Sequence, residues 1–192
     1  CMNRKLILAS TSPRRQELIQ EITTNFTVCA PSLEEEVLDE ALPLNDALEN
    51  LAAQKAMSVA KAHPAALVIG ADTIVVKNGR VLGKPRDADE AKAMLLMLSG
   101  ATHEVITAVS VVCQEKNLVL KGHDTSYVTF KALSAEEIEA YIKTGEPMDK
   151  AGSYGIQGGG GAFVAELTGP FDNVVGLPVE RLRALLEEAQ NE

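Results

Sequence analysis

Apolar positions along this chain recur with two periods, and the switches between them predict the elements. Leu6-Ile7-Leu8-Ala9 predicts a strand over residues 5–9. Leu18, Ile19 and Ile22 then share one face of a helix over residues 13–22, opened by Ser12 as N-cap and by Pro13 at the first helical position. A second strand is expected over 26–29, and the acidic run Glu34-Glu35-Glu36 begins an irregular connection. Across residues 44–61, Leu48, Leu51, Ala52 and Val59 form a helical stripe with Lys55 in its middle.

An apolar strand over 66–76 follows, and Asn78-Gly79 turns it into a hairpin with Val81-Leu82. Asp87 with Glu90, and Ser134 with Glu137, have capping-box spacing and open helices that end near Leu98 and Gly145. Between those helices, residues 105–112, 118–121 and 125–131 read as three strands. A glycine-rich loop, a strand over 162–167, a Gly169-Pro170 turn and a helix from Pro178 complete the chain. Strands and helices alternate in the first half and strands cluster in the middle, which predicts an α/β fold with a mixed sheet.

At 192 residues the chain can bury one sizeable core, and one domain is expected rather than two. Hydrophobic content of 46% and charged content of 23% are those of a soluble globular protein. The net charge of −9 argues against a nucleic-acid polymer as partner, because such binders rely on broad basic surfaces; a small nucleotide needs only local convergence of cations. No apolar run approaches the ~20 residues that span a bilayer, and the first residues carry no signal-peptide pattern, so a cytoplasmic protein without membrane partners is expected. Cys1 ahead of Met2 reads as an added residue. Cys1, Cys29 and Cys113 are odd in number and widely spaced, as free thiols are, and His63, His103 and His123 lack ligand spacing.

Ser10-Thr11-Ser12-Pro13-Arg14-Arg15 places two arginines in a first helical turn, where the unpaired N–H groups already disfavour cations. A phosphate turns that cluster into an asset; the alternative is a pair of surface arginines near Glu17 and Glu21. Asp72 interrupts an apolar strand expected to be covered on both faces, so it is either functional, as a base or a ligand of a hard cation, or half of a buried ion pair. Lys55 poses the same choice on its helix, where a lysine also snorkels to solvent. Gly83-Lys84-Pro85 is not a P-loop, since Pro85 stands where Ser or Thr would bind magnesium, and no GxGxxG follows a strand. In the run 149–158, glycines allow close approach to a ligand and Gln157 offers a paired donor and acceptor for a base edge; a mobile surface loop is the alternative.

Taken in order, residues 8–15, Gln54-Lys55-Ala56, Gly70-Ala71-Asp72-Thr73, Gly83-Lys84-Pro85, Asp149-Lys150-Ala151-Gly152-Ser153-Tyr154-Gly155-Ile156-Gln157-Gly158 and Val175-Gly176-Leu177-Pro178 resemble the motifs of the Maf family of nucleoside triphosphate pyrophosphatases. The resemblance covers essentially everything after Met2. It implies a single Maf-like domain over residues 2–192, of an elongated Maf/ITPase-like α/β fold with a long mixed sheet flanked by helices and a cleft between two lobes, often as a homodimer. It further implies hydrolysis of a nucleoside triphosphate to the monophosphate and pyrophosphate with Mg²⁺ or Mn²⁺. Tyr154-Gly155-Ile156-Gln157-Gly158, Ala71-Asp72-Thr73 and Arg14 are similar to the branch acting on dTTP and UTP rather than the one acting on 7-methyl-GTP. By the same resemblance Asp72 is the proton acceptor, and Arg14, Thr73 and Gln157 bear on substrate choice. Ser10, Arg15, Lys55, Lys84, Asp87 and Lys150 join the substrate site, with Glu35 and Asp72 as metal ligands. A 7-methyl-GTP pyrophosphatase or a broader nucleotide-cleansing enzyme is the alternative among enzymes. A non-catalytic nucleotide-binding regulator of cell division is the alternative outside them.

Overall fold

A computed structural model describes residues 4–192, so the expectation for Cys1 lies outside the described residues. In chain order the elements are β1 (Leu6–Leu8), α1 (Pro13–Ile19), β2 (Thr27–Val28), α2 (Leu44–Ala60), β3 (Leu67–Lys77), β4 (Arg80–Leu82) and α3 (Ala88–Leu98). They continue with β5 (Thr102–Cys113), β6 (Leu118–Phe130), α4 (Ala135–Lys143), β7 (Val164–Thr168), α5 (Phe171–Val175) and α6 (Val179–Asn191). Short 3₁₀ turns at Glu146–Asp149, Ala151–Ser153 and Gly159–Phe163 lie between α4 and β7. The seven strands form one sheet in the order β2-β1-β3-β5-β6-β7, with β4 on β3. β1 pairs parallel with β2 and β3, whereas β3 with β4 and β6 with β7 are antiparallel, so the sheet is mixed. Among the described residues no helix is long and apolar enough to cross a membrane.

Four local expectations are corrected. The strands expected over 118–121 and 125–131 merge into the single strand β6, which ends at Phe130, because His123 and Asp124 engage partners instead of ending it: His123 Nδ1 lies 2.6 Å from Glu49 Oε2, and Arg181 Nε donates to Asp124 at 3.0 Å. α1 stops at Ile19, where the amides of Gln20 and Ile22 bond three residues back and tighten the last turn, yet Ile22 still packs on the core. α5 was not anticipated after Gly169-Pro170. Asp87 caps α3 by accepting from the Glu90 N–H at 2.8 Å, but the Glu90 carboxylate turns to the Arg86 backbone N–H and guanidinium, both at 2.9 Å, so only the Ser134–Glu137 box is reciprocal.

Two compact units divide the chain. The first runs up to Asp72 and adds Thr107–Asp124 and Gly176–Glu192; the second is Thr73–Ile106 with Thr125–Val175. In the first, parallel strands buried on both faces explain the continuous apolar runs. Leu67, Ile69 and Ala71 of β3 pack with Leu182, Leu185 and Leu186 of α6, while Val68 packs with Ala56, Val59 and Ala60 of α2. Side chains alternate along a strand, so Gly70 and Asp72 share the α2 face with Val68.

The core of the second unit gathers Val75, Leu82, Leu95, Leu98, Phe130, Ile138, Tyr141, Tyr154 and Phe163. His103, 2% exposed, stands edge-on to Phe130 and Tyr154 and shares a 2.7 Å hydrogen bond with the Tyr154 hydroxyl. Burial, and secondarily the charge of Lys77, lower its pKa to about 4. The unfolded chain therefore binds a proton that folded His103 refuses between its ordinary 6.5 and about 4. Stability from this group is complete above pH 6.5 and is lost as pH falls, by about 2 kcal/mol at pH 5. Urea unfolding at pH 7 and pH 5 is expected to reveal that loss in the wild type and a smaller one in His103→Gln; equal losses contradict it.

Candidate functional site

Asp72 and Lys55 meet in the first unit. Lys55 sits on α2, 8% exposed, and does not snorkel to water: its Nζ donates to Asp72 Oδ1 at 3.0 Å and lies 2.5 Å from Glu36 Oε1. Gly70 permits this geometry. A Cβ there would overlap the Ala52 carbonyl of α2 and stand 3.0 Å from the Ala56 nitrogen, so only glycine lets the helix backbone lie against β3 this closely. The Asp72 side chain keeps 21% exposure and that of Glu36 54%, so the lysine is desolvated while both carboxylates reach solvent.

The loop from β1 brings cations to the same unit. Ser10 is buried and its Oγ accepts the Ser12 N–H at 3.0 Å; Ser12 Oγ in turn accepts the Arg15 N–H at 3.4 Å. Those hydroxyls occupy two of the amides at the start of α1, a helix of only seven residues, so anion binding here falls chiefly to the guanidinium groups. Arg15 Nε donates to the Gly176 carbonyl at 2.7 Å, which fixes the side chain from the start of the α6 connection. Burial pushes the Arg15 guanidinium below its ordinary value, the carboxylate of Asp72 opposes this, the charge of Arg14 adds to it and Glu36 opposes it. Lys55 contacts both carboxylates, and Arg15 feels the charges of Asp72 and Glu36 as well as that of Arg14.

The other predicted residues belong to the second unit. Thr73 is half-buried on β3, Lys84 is exposed beyond β4, and Asp87 is committed to capping α3. Lys150 is held locally, with Nζ 2.8 Å from Asp149 Oδ1 and 3.3 Å from the Glu146 carbonyl. Gly152 and Ser153 both take left-handed backbone conformations, at φ +72° and +68°, turning the chain before Tyr154; a Cβ on Gly152 would stand 2.8 Å from Val75 Cγ2. Gln157 is exposed at the tip of the loop that follows.

Glu35 is exposed, and its neighbour Glu36 is the residue on Lys55. An irregular segment has no periodicity to tell which of three consecutive glutamates points inward. Among the described residues no cluster of three or more His, Cys, Asp or Glu side chains forms a metal cage. Two carboxylates converging on one ammonium nonetheless offer hard oxygen donors. They suit a cation of the Mg²⁺ or Mn²⁺ kind, which keeps waters and takes substrate phosphate oxygens, and not an all-protein calcium or zinc site.

Within the first unit, Asp72 of β3, the desolvated Lys55 of α2, Glu36 and the buried Arg15 of α1 bring acidic and basic groups together. The family model described as Maf-like protein matches residues 5–189, and the chain belongs to that family. Proteins called "dTTP/UTP pyrophosphatase" are similar to it over nearly their whole length. That of Symbiobacterium thermophilum is 47% identical, with 96% of this chain and 93% of that protein covered. That of Bacillus cytotoxicus is 49% identical, with 93% and 92% covered, and that of Clostridium botulinum 43%, with 96% and 99% covered. Among solved structures, the Staphylococcus aureus Ham1 protein is similar with a TM-score of 0.49 at 13% identity, covering 97% of this chain and 100% of that one.

Proposed function

We propose that this chain hydrolyses dTTP and UTP to the nucleoside monophosphate and pyrophosphate. The observation that carries the reading is the Asp72–Lys55–Glu36 constellation beside Arg15, in a chain close to half identical to proteins named for that activity. Asp72 takes a proton from the attacking water as its oxygen bonds to the α-phosphorus, and the bridging bond to the β-phosphate breaks with release of pyrophosphate. Lys55 holds the Asp72 carboxylate in position through its 3.0 Å hydrogen bond. Arg14, Arg15 and Lys84 offset the charge of the phosphates. Asp72 and Glu36 would hold a divalent metal, which when bound supplies Lewis-acid polarisation of a phosphate oxygen. Glu35, the ligand implied by the family resemblance, stands one residue away.

Gln157 and Thr73 read the pyrimidine edge. Hydrogen-bonding sites reject a mismatched ligand because their own polar groups are left unpaired. Gln157→Glu replaces a donor by an acceptor, so the ratio of kcat/KM for dTTP to that for other nucleotides is expected to fall by about tenfold or more, with a smaller change in kcat. Equal losses on every nucleotide would remove Gln157 from base recognition.

The direct test measures pyrophosphate released from dTTP, UTP, CTP, GTP, ATP and 7-methyl-GTP, with Mg²⁺ or Mn²⁺ and with chelator. Metal-dependent cleavage favouring dTTP and UTP supports the proposal. Preference for 7-methyl-GTP overturns the specificity, and no cleavage of any nucleotide overturns the activity.

A further inference from the structure

The run Gly158 to Gly161 has the composition of a mobile loop, but its surroundings in the second unit are those of a packed one. Tyr141, on the last turn of α4, is buried, and its hydroxyl accepts the Gly155 N–H at 3.0 Å. Gly145, at φ +78°, then reverses the chain and brings Glu146 alongside, where Oε1 accepts the Gly159 N–H at 3.2 Å. The loop closes on itself as well, with the Gly158 N–H bonded to the Gly155 carbonyl at 3.2 Å and the Gly161 N–H to the Gly158 carbonyl at 3.0 Å.

Side chains at these glycines would meet close neighbours, backbone at Gly160 and Gly161 and the side chains of Glu146 and Tyr141 at Gly158 and Gly159. A Cβ at Gly158 would overlap the Glu146 carboxylate, and one at Gly161 would overlap the Ile156 carbonyl. At Gly160 it would stand 2.7 Å from the Gly155 carbonyl, and at Gly159 3.1 Å from the Tyr141 ring. On the other side, the Lys150 stem fills the space a side chain at Gly155 would need, at 2.6 Å. Tyr141 is itself seated edge-on against Phe163, with ring centroids 5.0 Å apart. Burial first, and the Glu146 carboxylate second, push its hydroxyl well above the ordinary value, so it stays protonated and neutral.

We infer that Tyr141 and Glu146 are positioning residues for nucleobase selection: they anchor the two ends of the 155–159 turn and so present Gln157 in one fixed orientation. This rests on the reading of Gln157 given above. A preorganised amide loses little freedom when it bonds a base edge, whereas a mobile one is ordered at the expense of affinity. Tyr141 and Glu146 touch neither phosphate nor the attacking water in this scheme, so their loss falls on KM and selectivity rather than on the chemical step.

Steady-state kinetics of wild type, Tyr141→Phe, Glu146→Ala and Glu146→Gln on dTTP and GTP test this, alongside hydrogen exchange of the amides of residues 155–161. Glu146→Ala and Tyr141→Phe are expected to raise KM for dTTP about tenfold, to lower the dTTP preference by a similar factor and to keep kcat within about twofold. Exchange at Gly159 or Gly155 accelerates accordingly. Glu146→Gln retains an acceptor oxygen for the Gly159 N–H and restores wild-type selectivity. Tyr141→Phe keeps the ring on Phe163, so it reads out the hydrogen bond even where Glu146→Ala folds poorly. Wild-type selectivity in both Tyr141→Phe and Glu146→Ala overturns the inference while leaving the pyrophosphatase reading intact, and so does a Glu146→Gln as impaired as Glu146→Ala. A wild type inert towards every nucleotide overturns the reading and the inference together.

Discussion

Asp72→Asn is expected to cut pyrophosphate release from dTTP by about 10²–10⁴-fold, the range that general-base removal produces. Asparagine keeps the size of the side chain and an oxygen that accepts the Lys55 ammonium, which today bonds Asp72 at 3.0 Å. It cannot take a proton from water, and it is a weaker ligand for a hard cation. Lys55 retains Glu36 at 2.5 Å, so it is not left as an uncompensated buried charge, the circumstance in which breaking a pair is most destabilising. Turnover therefore falls far more than folding does. A thermal unfolding midpoint near the wild type, together with near-absent product, is the expected result. Activity within tenfold of wild type would remove Asp72 as base and as metal ligand alike.

Gly70→Ala is expected to be the most damaging single-methyl change in the first unit. The added Cβ meets the Ala52 carbonyl and the Ala56 nitrogen, both backbone atoms of α2, so no side-chain rotation relieves the overlap. The helix must lift from β3, loosening Ala56, Val59 and Ala60 from Val68, and it carries Lys55 away from Asp72. Overpacking of this kind costs about 3 kcal/mol, which lowers Tm by roughly 6–12 °C in a chain of this size. Gly83→Ala is the control: nothing lies within 4 Å of its Cβ position, so its unfolding free energy is expected to stay within about 0.5 kcal/mol of wild type. Calorimetry of the two variants decides the matter, and a Gly70→Ala as stable as Gly83→Ala would mean that the α2 backbone yields freely.

The acidic triplet and the glycine run were the hardest stretches to read. Glu34, Glu35 and Glu36 lie in an irregular connection, and which one reaches Lys55 depends on a chain path that no local period encodes. The glycine run offered two readings from composition, and contacts with Tyr141 and Glu146, both outside it, decide between them. Gly70 did carry a local signal, since an isolated glycine within an apolar strand marks a close backbone approach. β6 went the other way. Gly122-His123-Asp124 looks like a break locally, but His123 and Asp124 find Glu49 and Arg181, each more than fifty residues distant in the chain.

By itself the sequence determined the α/β class, the helix starts at Ser12, Asp87 and Ser134, the hairpin at Asn78-Gly79, and the paired question posed by Asp72 and Lys55 in apolar surroundings. All of these follow from backbone sterics, capping and burial cost, which act over a few residues. Tertiary structure alone decided that Lys55 answers Asp72, that Glu36 joins them, and that α2 lies close enough on β3 to make the pair. Those outcomes depend on which residues, distant in the chain, share a face across a strand and a helix, and that is set by packing, where a single Cβ at Gly70 outweighs any local preference.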